Sequence, residues 1–517
     1  MIGLSGMALL LYLPYALKAG WYYDDWSLYS SFQHGGSSWG AQFSTCTASI
    51  PGGRKLTCLY HVTEFHLFGG DRLAYHLTAI LFLIGMAGLA YVILRRCHLS
   101  WEWAALTAAL LIIFPASDST RLWPTGAIGQ YVMVLELLGV LLVLSGLGQP
   151  RRSYRLLFHL GGSALFVSAM FTYEIVVPLV ALNGIVYWAA MRNKAALRRG
   201  TLDLLLAASF VFYRLVVEPV DPESGFAVHR TVSEEMHRAW VLVSSAWGTW
   251  SEVFFTGRTI GAVMVIGVLT ATALLWLKEP AMRRNLLPWL ALIAGCLLLA
   301  GAATFVFFSA NDLYVPQVSS AFNRVTLPAA IPYVGIFIGF VGLLYELVRR
   351  LVPLRHVAAV ATSLLLLGSA VHQLRISTDH KRAWEASWKE QEIALDGYAR
   401  SVRGLPNGSR IIGTGAPIWE PGYVPIFAAT WDLGSAISYT TSFQPSQATP
   451  LMSTMTCGRR GVTQDQILLM PYRIPEQPLY FINSTRGSAS LVRSQIDCRH
   501  AIARFGRPPL FAPTLRN

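Results

Sequence analysis

The chain has 517 residues, of which 54% are hydrophobic and only 13% are charged, and its formal net charge is +13. A soluble protein of this length would be more polar. Apolar runs of about twenty residues recur along it, and each is long enough to cross a hydrocarbon core of ~30 Å. The composition therefore excludes an ordinary soluble domain and predicts a multi-pass membrane protein.

About eleven apolar segments predict transmembrane helices. They lie near 1–20, 76–94, 101–115, 130–147, 156–171, 175–191, 201–217, 259–277, 286–308, 325–348 and 356–373. The first segment lacks a basic start, and no small-residue cleavage site precedes the aromatic cluster Trp21–Trp26, so we do not interpret it as a cleavable signal peptide. The predicted fold class is a polytopic α-helical membrane protein.

Basic residues fall in alternate short loops, which the positive-inside rule assigns to the cytoplasm. The loops contain Arg95, Arg96, Arg151, Arg152, Arg155, Arg192, Lys194, Arg198, Arg199, Lys278, Arg283, Arg284, Arg349, Arg350 and Arg355. These are fifteen of the 41 basic residues, so the positive charge requires no nucleic acid partner. The N-terminus is then cytoplasmic and the C-terminal segment extracytoplasmic. Because Arg far outnumbers Lys, we expect a bacterial protein of the inner (cytoplasmic) membrane.

Two longer outer loops and an outer C-terminal segment follow from this orientation. The first, 21–75, is long enough that we expect it to be partly structured, with a surface helix over Leu59–Leu67. The loop 218–258 contains an amphipathic stretch around Val232–Trp250. After the last span, 379–402 has the pattern of an amphipathic helix, and Arg410–Gly413 and Pro478–Ile482 have the pattern of strands. The sequence therefore predicts a membrane module over 1–373 and a small extracytoplasmic α/β domain over 374–517.

Four cysteines lie in the predicted outer segments, two in each. Cys46 and Cys58 are in the first outer loop, and Cys457 and Cys498 are in the C-terminal segment. The pairs Cys46–Cys58 and Cys457–Cys498 are predicted as disulfides, because this compartment is oxidising. No CxxC spacing occurs, so a zinc site is not indicated.

Polar residues at the outer ends of distant spans predict a site. These residues are Asp24, Asp25, His61, Glu64, His66, Asp118, Arg121, Tyr173, Glu174, Asn323 and Arg324. Two carboxylates directly after an apolar span are energetically costly there, so their presence indicates a function. A carboxylate accepts the proton of an acceptor hydroxyl, and a cation stabilises a leaving phosphate. Such a set suits sugar transfer from a lipid carrier.

The order of these motifs resembles the GT-C superfamily of membrane glycosyltransferases, of the protein O-mannosyltransferase, aminoarabinose transferase and arabinosyltransferase type. The resemblance covers nearly all of the membrane part. The matching positions are Asp24-Asp25 after the first span, Leu67-Phe68-Gly69, Tyr75-His76-Leu77, Pro115 with Asp118, Glu174 with Pro178, and Arg324 with Pro328. Two departures are that Asp118 replaces a Glu and Tyr173 replaces a Lys.

The resemblance implies an inverting transferase that uses a polyprenyl-phosphate sugar donor and a glycan, glycolipid or protein acceptor. Asp24 or Asp25 would be the general base, and Asp118 the second acidic group. Arg324 and Arg121 would hold the donor phosphate. Contacts with acceptor or donor would come from His61, Glu64, His66, Tyr173, Glu174 and Asn323. Whether a divalent cation (Mg, Mn or Ca) is bound is left open; Asp24 and Asp118 would be its oxygen ligands.

Purely structural roles are an alternative for the residues assigned to the site. The aspartate pair could cap an interfacial helix, Asp118 could pair with Arg121, and Arg324 could reach towards lipid headgroups. At the level of the whole chain, one alternative is a transporter or flippase of lipid-linked sugars. The other is a non-catalytic subunit of envelope assembly.

Overall fold

The computed structural model describes residues 2–49, 54–217, 231–308, 310, 314–352, 355–508 and 510. Helices dominate the membrane part of the chain. In chain order they are α1 (Ile2–Ala16), α2 (Asp24–His34), α3 (Trp39–Ser49), α4 (Lys55–Phe68), α5 (Arg72–Arg96), α6 (Trp101–Ile113), α7 (Ser119–Leu122), α8 (Ile128–Leu147), α9 (Arg152–Thr172), α10 (Val177–Met191), α11 (Lys194–Phe212), α12 (Val232–Phe255), α13 (Arg258–Lys278), α14 (Arg283–Phe305), α15 (Leu327–Leu351) and α16 (Arg355–Ser401).

Among the described residues, nine helices are long and apolar enough to cross a membrane, some of them with a short 3-10 or π turn at one end. They contain α5, α8, α9, α10, α11, α13, α14, α15 and α16. The shorter apolar helices α1 and α6 account for the two remaining predicted segments. The prediction of a polytopic helical membrane protein is therefore confirmed.

The outer loops are themselves helical. The first folds into α2, α3 and α4, and the predicted helix at Leu59–Leu67 is part of α4. The disulfide Cys46–Cys58 joins α3 to α4 as predicted. The amphipathic stretch around Val232–Trp250 forms α12, whose first turn is closed by a capping box between Thr231 and Glu234. Residues 50–53 and 218–230 of these loops lie outside the described residues.

Helix α16 is continuous for 47 residues. It therefore joins the predicted span 356–373 and the predicted amphipathic helix 379–402 without a break, and the expected domain boundary at 373/374 falls inside it. The strands that follow are β1 (Arg410–Thr414), β2 (Trp419–Glu420), β3 (Val424–Pro425), β4 (Gln447–Pro450), β5 (Met455–Cys457), β6 (Gly461–Gln464), β7 (Ile467–Pro471), β8 (Leu479–Asn483) and β9 (Ser488–Val492).

The C-terminal domain has the predicted α/β character. Its main sheet has the order β4-β1-β8-β9, with β1 parallel to both β4 and β8, and with β8 antiparallel to β9. Helices α17 (Asp432–Thr440) and α18 (Gln495–Phe505) complete it. The second predicted disulfide, Cys457–Cys498, joins β5 to α18. Both predicted strands, at 410–413 and 478–482, are found.

One hydrophobic cluster joins the first outer loop to the C-terminal domain. Trp26 and Phe32 of α2 are buried in it together with Leu433 and Ile437 of α17. Close packing continues at the turn after α1, where a Cβ atom on Gly20 would lie 1.8 Å from the ring of Trp388 in α16. Only glycine fits that approach. Asp24 and Asp25 follow this turn, so their position is set by α1, α16 and the C-terminal domain together.

Candidate functional site

Asp25 is fully buried and both of its carboxylate oxygens are in use. Oδ2 accepts a hydrogen bond from the backbone N–H of Tyr22 at 2.8 Å, and Oδ1 accepts one from the backbone N–H of Thr125 at 2.8 Å. The hydroxyl of Thr125 also donates to Oδ1. Burial raises the pKa of Asp25 well above its usual range, against these hydrogen bonds. The side chain thus ties the start of α2 to the turn before α8.

Asp24 lies in a different environment. It is only partly buried, and its Oδ1 accepts a hydrogen bond from Nε1 of Trp431 at 3.0 Å. No other described residue donates to its side chain, so Oδ2 is available to a ligand. Burial raises the pKa of the Asp24 carboxyl, while nearby Arg324, the Trp431 indole and His61 act in the opposite direction. Asp24 is therefore the carboxylate of the pair that can meet a substrate.

The residue before Asp24 is strained. Tyr23 has φ 49° and ψ −109°, a conformation that side-chain-bearing residues rarely adopt. Such a backbone costs on the order of 1–3 kcal/mol and persists only where surrounding contacts enforce it. The ring of Tyr23 lies between Trp123, at 5.8 Å, and Trp431, at 5.4 Å between centroids. Strain of this kind clusters at functional sites, and Asp24 follows directly after Tyr23.

Arg324 provides a cation close to Asp24. It lies in the 3-10 helix Ala321–Thr326 that leads into α15. Its guanidinium stacks on the ring of Trp123 at 4.6 Å and hydrogen-bonds with Tyr314. Its Nε is buried without a hydrogen-bond partner in the described structure. A buried N–H of a guanidinium without a partner is costly, and an anionic ligand would satisfy it.

A second cation occupies the neighbourhood of Tyr173. Arg54, at the start of α4, donates from Nε to Oε2 of Glu174 at 2.9 Å and from Nη2 to Oε1 of the same carboxylate. Its guanidinium lies over the ring of Tyr173, 4.9 Å from the centroid. Tyr173 is within electrostatic range of both Arg54 and Arg324. A guanidinium from the first outer loop therefore lies against the ring of Tyr173.

Asp118 and Asn323 link two loops below the site. Nδ2 of Asn323 donates to Oδ1 of Asp118 at 2.9 Å, and Nδ1 of His380 donates to Oδ2 at 2.7 Å. Asn323 Oδ1 accepts from the backbone N–H of Ser119 at 3.1 Å. Since both oxygens of Asp118 are engaged and the residue is buried, the structure places it in a support that holds the segment of Arg324.

Arg121 is buried away from solvent and closes the end of α6. Its Nη1 donates to the carbonyl of Ile112 at 3.0 Å and its Nη2 donates to the carbonyl of Phe114. The guanidinium lies 5.0 Å from the ring centroid of Tyr12. The suggested ion pair with Asp118 is not among the ion pairs of the described residues. Both terminal nitrogens of Arg121 are thus engaged by backbone carbonyls. Arg121 as a phosphate contact remains a prediction.

His61 and Glu64 form a buried polar pair on α4. His61 Nδ1 lies 3.6 Å from Glu64 Oε2, and the hydroxyl of Tyr60 donates to Glu64 Oε1 at 2.7 Å. Burial raises the pKa of Glu64, and His61 and Tyr60 oppose that effect. His61 is also within electrostatic range of Asp24. His66 is exposed on another side of the helix, so the structure brings His61 and Glu64 to the site region but not His66.

The carboxylates do not form an open cation site. No group of three His, Cys, Asp or Glu side chains that could hold a metal ion occurs among the residues that the structure describes. Asp118, one of the two suggested oxygen ligands, has both oxygens in hydrogen bonds. The donor set therefore does not fit a metal bridging Asp24 and Asp118.

Three contributors to this region were missed by sequence reasoning. Arg54 carried a usable signal, because a basic residue in an outer loop runs against the positive-inside rule. Trp431 and His380 carried none, since each meets its carboxylate from several hundred positions away along the chain.

Comparison with known proteins finds a likeness of overall fold. No protein-family model and no curated protein matches the chain. Among solved structures, ArnT from Cupriavidus metallidurans in the apo state has a TM-score of 0.48 and 13% identity, covering 93% of this chain and 92% of that chain. ArnT from the same bacterium bound to undecaprenyl phosphate has a TM-score of 0.45 and 12% identity, covering 99% of each chain.

Proposed function

We propose that this chain is a glycosyltransferase that moves a sugar from a polyprenyl-phosphate donor to a hydroxyl group of an envelope glycan, glycolipid or protein. The transfer would occur at the outer face of the bacterial inner membrane and would invert the anomeric carbon. The observation that carries the proposal is the proximity of Asp24, with a free carboxylate oxygen, to Arg324, with an unpartnered buried N–H.

Asp24 is assigned the role of general base. Its Oδ2 is free to accept the proton of the acceptor hydroxyl, and burial keeps its pKa above that of an exposed aspartate, which strengthens it as a base. Asp25 cannot share this role without breaking the hydrogen bonds that hold the start of α2. We therefore assign Asp25 to positioning Asp24.

Arg324 and Arg54 are assigned to the donor phosphate. Both guanidinium groups lie within electrostatic range of Tyr173 and Tyr314, so two cations are close to the same two rings. A bidentate guanidinium suits phosphate oxygens, and two cations oppose the charge that develops on the leaving group. Glu174 holds Arg54 in place through its paired hydrogen bonds.

The proposed step is a single displacement. The acceptor oxygen forms a bond to the anomeric carbon while its proton passes to Oδ2 of Asp24. The bond between the anomeric carbon and the phosphate oxygen breaks, and its electron pair leaves with the polyprenyl phosphate. The sugar inverts because attack and departure occur on opposite faces. No step is assigned to a divalent cation. His61 and Glu64 would line the acceptor side.

A transporter of lipid-linked sugars is the second candidate, and one observation favours it. Ionisable groups lie inside the membrane helices, where Arg199 donates to Asp203 at 2.6 Å and Tyr187 donates to Asp203 at 2.7 Å. Asn183 pairs with the buried Glu136 of α8 nearby. Intramembrane charges mark substrate paths in transporters. Here, however, Asp203 and Glu136 each have a hydrogen-bond partner. Such pairs also occur where polar contacts between helices only stabilise a bundle.

Deletion of the gene and linkage analysis of the envelope glycans tests the proposal. The strain is complemented with the wild-type chain, with Asp24→Asn, and with Trp101→Phe as a control at an exposed position far from the site. We expect one sugar linkage to disappear and to return with wild type and the control only. If Asp24→Asn restores the linkage, the carboxylate is not catalytic. Accumulation of lipid-linked sugar on the cytoplasmic side, with a normal transferase in the membrane, would favour the transporter.

A separate binding measurement examines the phosphate site. Undecaprenyl phosphate, as probe, should raise the melting temperature of the detergent-solubilised wild-type protein, because a ligand that binds only the folded state stabilises it. The shift should be smaller for Arg324→Gln. An equal shift in both proteins would remove Arg324 from the phosphate site.

A further inference from the structure

The C-terminal domain reaches the carboxylate on which the proposed function rests. Trp431 immediately precedes α17, and its Nε1 donates to Oδ1 of Asp24 at 3.0 Å across 407 positions of the chain. The indole is 47% exposed, so part of its surface is accessible to a ligand. A half-exposed tryptophan in contact with a carboxylate is placed where a substrate would arrive.

The loop that carries Trp431 is rigidly built. Asp432 is fully buried, and its Oδ2 accepts hydrogen bonds from the backbone N–H groups of Ala428 at 2.7 Å and Ala429 at 3.0 Å. Its Oδ1 accepts from the backbone N–H of Leu433 at 2.6 Å. The side chain of Leu433 is buried in the cluster shared with α2. The indole is therefore held from one side by the loop and from the other by Asp24 itself.

A second contact joins this domain to the segment of Arg324. The backbone N–H of Ala321, in the 3-10 helix that carries Arg324, donates to the carbonyl of Tyr423 at 3.3 Å. Tyr423 lies between β2 and β3, and the hydroxyl of Ser387 in α16 donates to the carbonyl of Pro425 at the end of β3. The domain thus contacts the elements that carry both proposed chemical groups.

We propose that Trp431 is a positioning residue of the transferase site. Its indole N–H holds Oδ1 of Asp24 so that Oδ2 points to the acceptor hydroxyl, and the C-terminal domain is by this contact an obligatory part of the site. The inference rests on the proposed function, because it assigns a partner to the proposed base. It goes beyond that function in giving the C-terminal domain a defined role in the reaction.

Other groups also face Asp24. Arg324 and His61 act on it from the 3-10 helix and from α4, and Asp25 and Asp432 lie close enough to interact with it electrostatically. Of these, Arg324 and His61 favour the carboxylate form together with the Trp431 N–H, while Asp25 and Asp432 oppose it when they are ionised. Loss of the indole N–H alone should therefore shift the acid side of the pH–rate profile to higher pH without abolishing the site.

Trp431→Phe tests the inference, because phenylalanine keeps an aromatic ring and removes the N–H. The variant is compared with Trp101→Phe and with Asp24→Asn in membrane vesicles, using formation of the linkage that gene deletion identifies. A hydrogen bond to a charged group corresponds to about 10- to 100-fold in rate. We expect turnover to fall by about that factor with little change in the apparent KM for the donor, and the acid limb to move to higher pH.

Three outcomes separate the possibilities. If Trp431→Phe has wild-type turnover and pH profile while Asp24→Asn is inactive, the proposed function stands and the inference is overturned. If Asp24→Asn is active, the proposed base and its partner fall together. If turnover falls only in proportion to a loss of folded protein, measured as melting temperature and yield in detergent, with an unchanged pH profile, the residue is merely structural and the inference is again overturned.

Discussion

Separate replacement of Asp24 and Asp25 by asparagine should produce two different defects. In Asp25→Asn, the amide has one acceptor oxygen and one donor group where the native carboxylate has two acceptor oxygens. Because Oδ2 accepts from Tyr22 and Oδ1 accepts twice from Thr125, the new NH2 group must face at least one N–H donor. A buried polar group left without its partner costs ~1–3 kcal/mol, so the free energy of unfolding should fall by about that amount.

Asp24→Asn should leave stability almost unchanged. The amide oxygen can still accept from Trp431, and the side chain is only partly buried. The amide cannot accept a proton, however, and the loss of a general base slows an enzyme by roughly 10²–10⁴-fold. The two aspartates thus predict opposite patterns, with stability lost at Asp25 and turnover lost at Asp24.

The assay combines thermal unfolding in detergent with the rate of linkage formation per folded molecule in membrane vesicles. Wild type and Trp101→Phe, at an exposed site, give the reference values. A stable Asp25→Asn protein with no turnover, beside an unstable but active Asp24→Asn protein, would reverse the assignment and refute the reasoning from hydrogen bonds. Normal stability and activity in both variants would refute a functional role for the pair.

Three further predictions concern the same molecule. Burial raises the pKa of Asp24, and a general base must be ionised to act. Activity should therefore be lost as the pH falls through a value above the ~3.9 of an exposed aspartate. A rate that is constant down to about pH 4 in still-folded protein would contradict this. Arg54→Gln should slow linkage formation about tenfold or more, because a charge-assisted phosphate contact is lost. Arg54→Lys should keep part of the rate, because it keeps the charge. Equal rates in wild type and Arg54→Gln would show that Arg54 serves only as the partner of Glu174. Replacing Cys457 and Cys498 by serine should destabilise the C-terminal domain by about 2–5 kcal/mol, because the disulfide closes a chain separation of 41 residues, and an unchanged melting temperature in non-reducing buffer would argue against that contribution.

Much of the fold follows from local patterns. Apolar runs of the right length form helices in the structure. The alternation of basic loops predicts which ends of these helices are cytoplasmic. The disulfides Cys46–Cys58 and Cys457–Cys498 followed from two cysteines in each outer segment. The continuity of α16 did not follow, because the change from apolar to amphipathic pattern at 373/374 looks like an end when no neighbour is visible. In the structure Leu374 and Ile376 pack on the core of the membrane part, and Ala394 and Leu395 pack on the cluster shared with the C-terminal domain, so the helix has partners on both sides of that point.

The candidate site divides in the same way. The sequence by itself determined that two adjacent carboxylates follow an apolar segment, because both the segment and the charges after it are local features, and it predicted from them a position at the membrane interface. Only the tertiary structure decided that Asp25 accepts a hydrogen bond from Thr125, that Asp24 accepts one from Trp431, and that the guanidinium of Arg54 lies over the ring of Tyr173. The reason is physical: a hydrogen bond or ring contact needs atoms a few ångströms apart, and partners that are a hundred or more residues apart in the chain leave no trace in hydropathy or periodicity until the chain has folded.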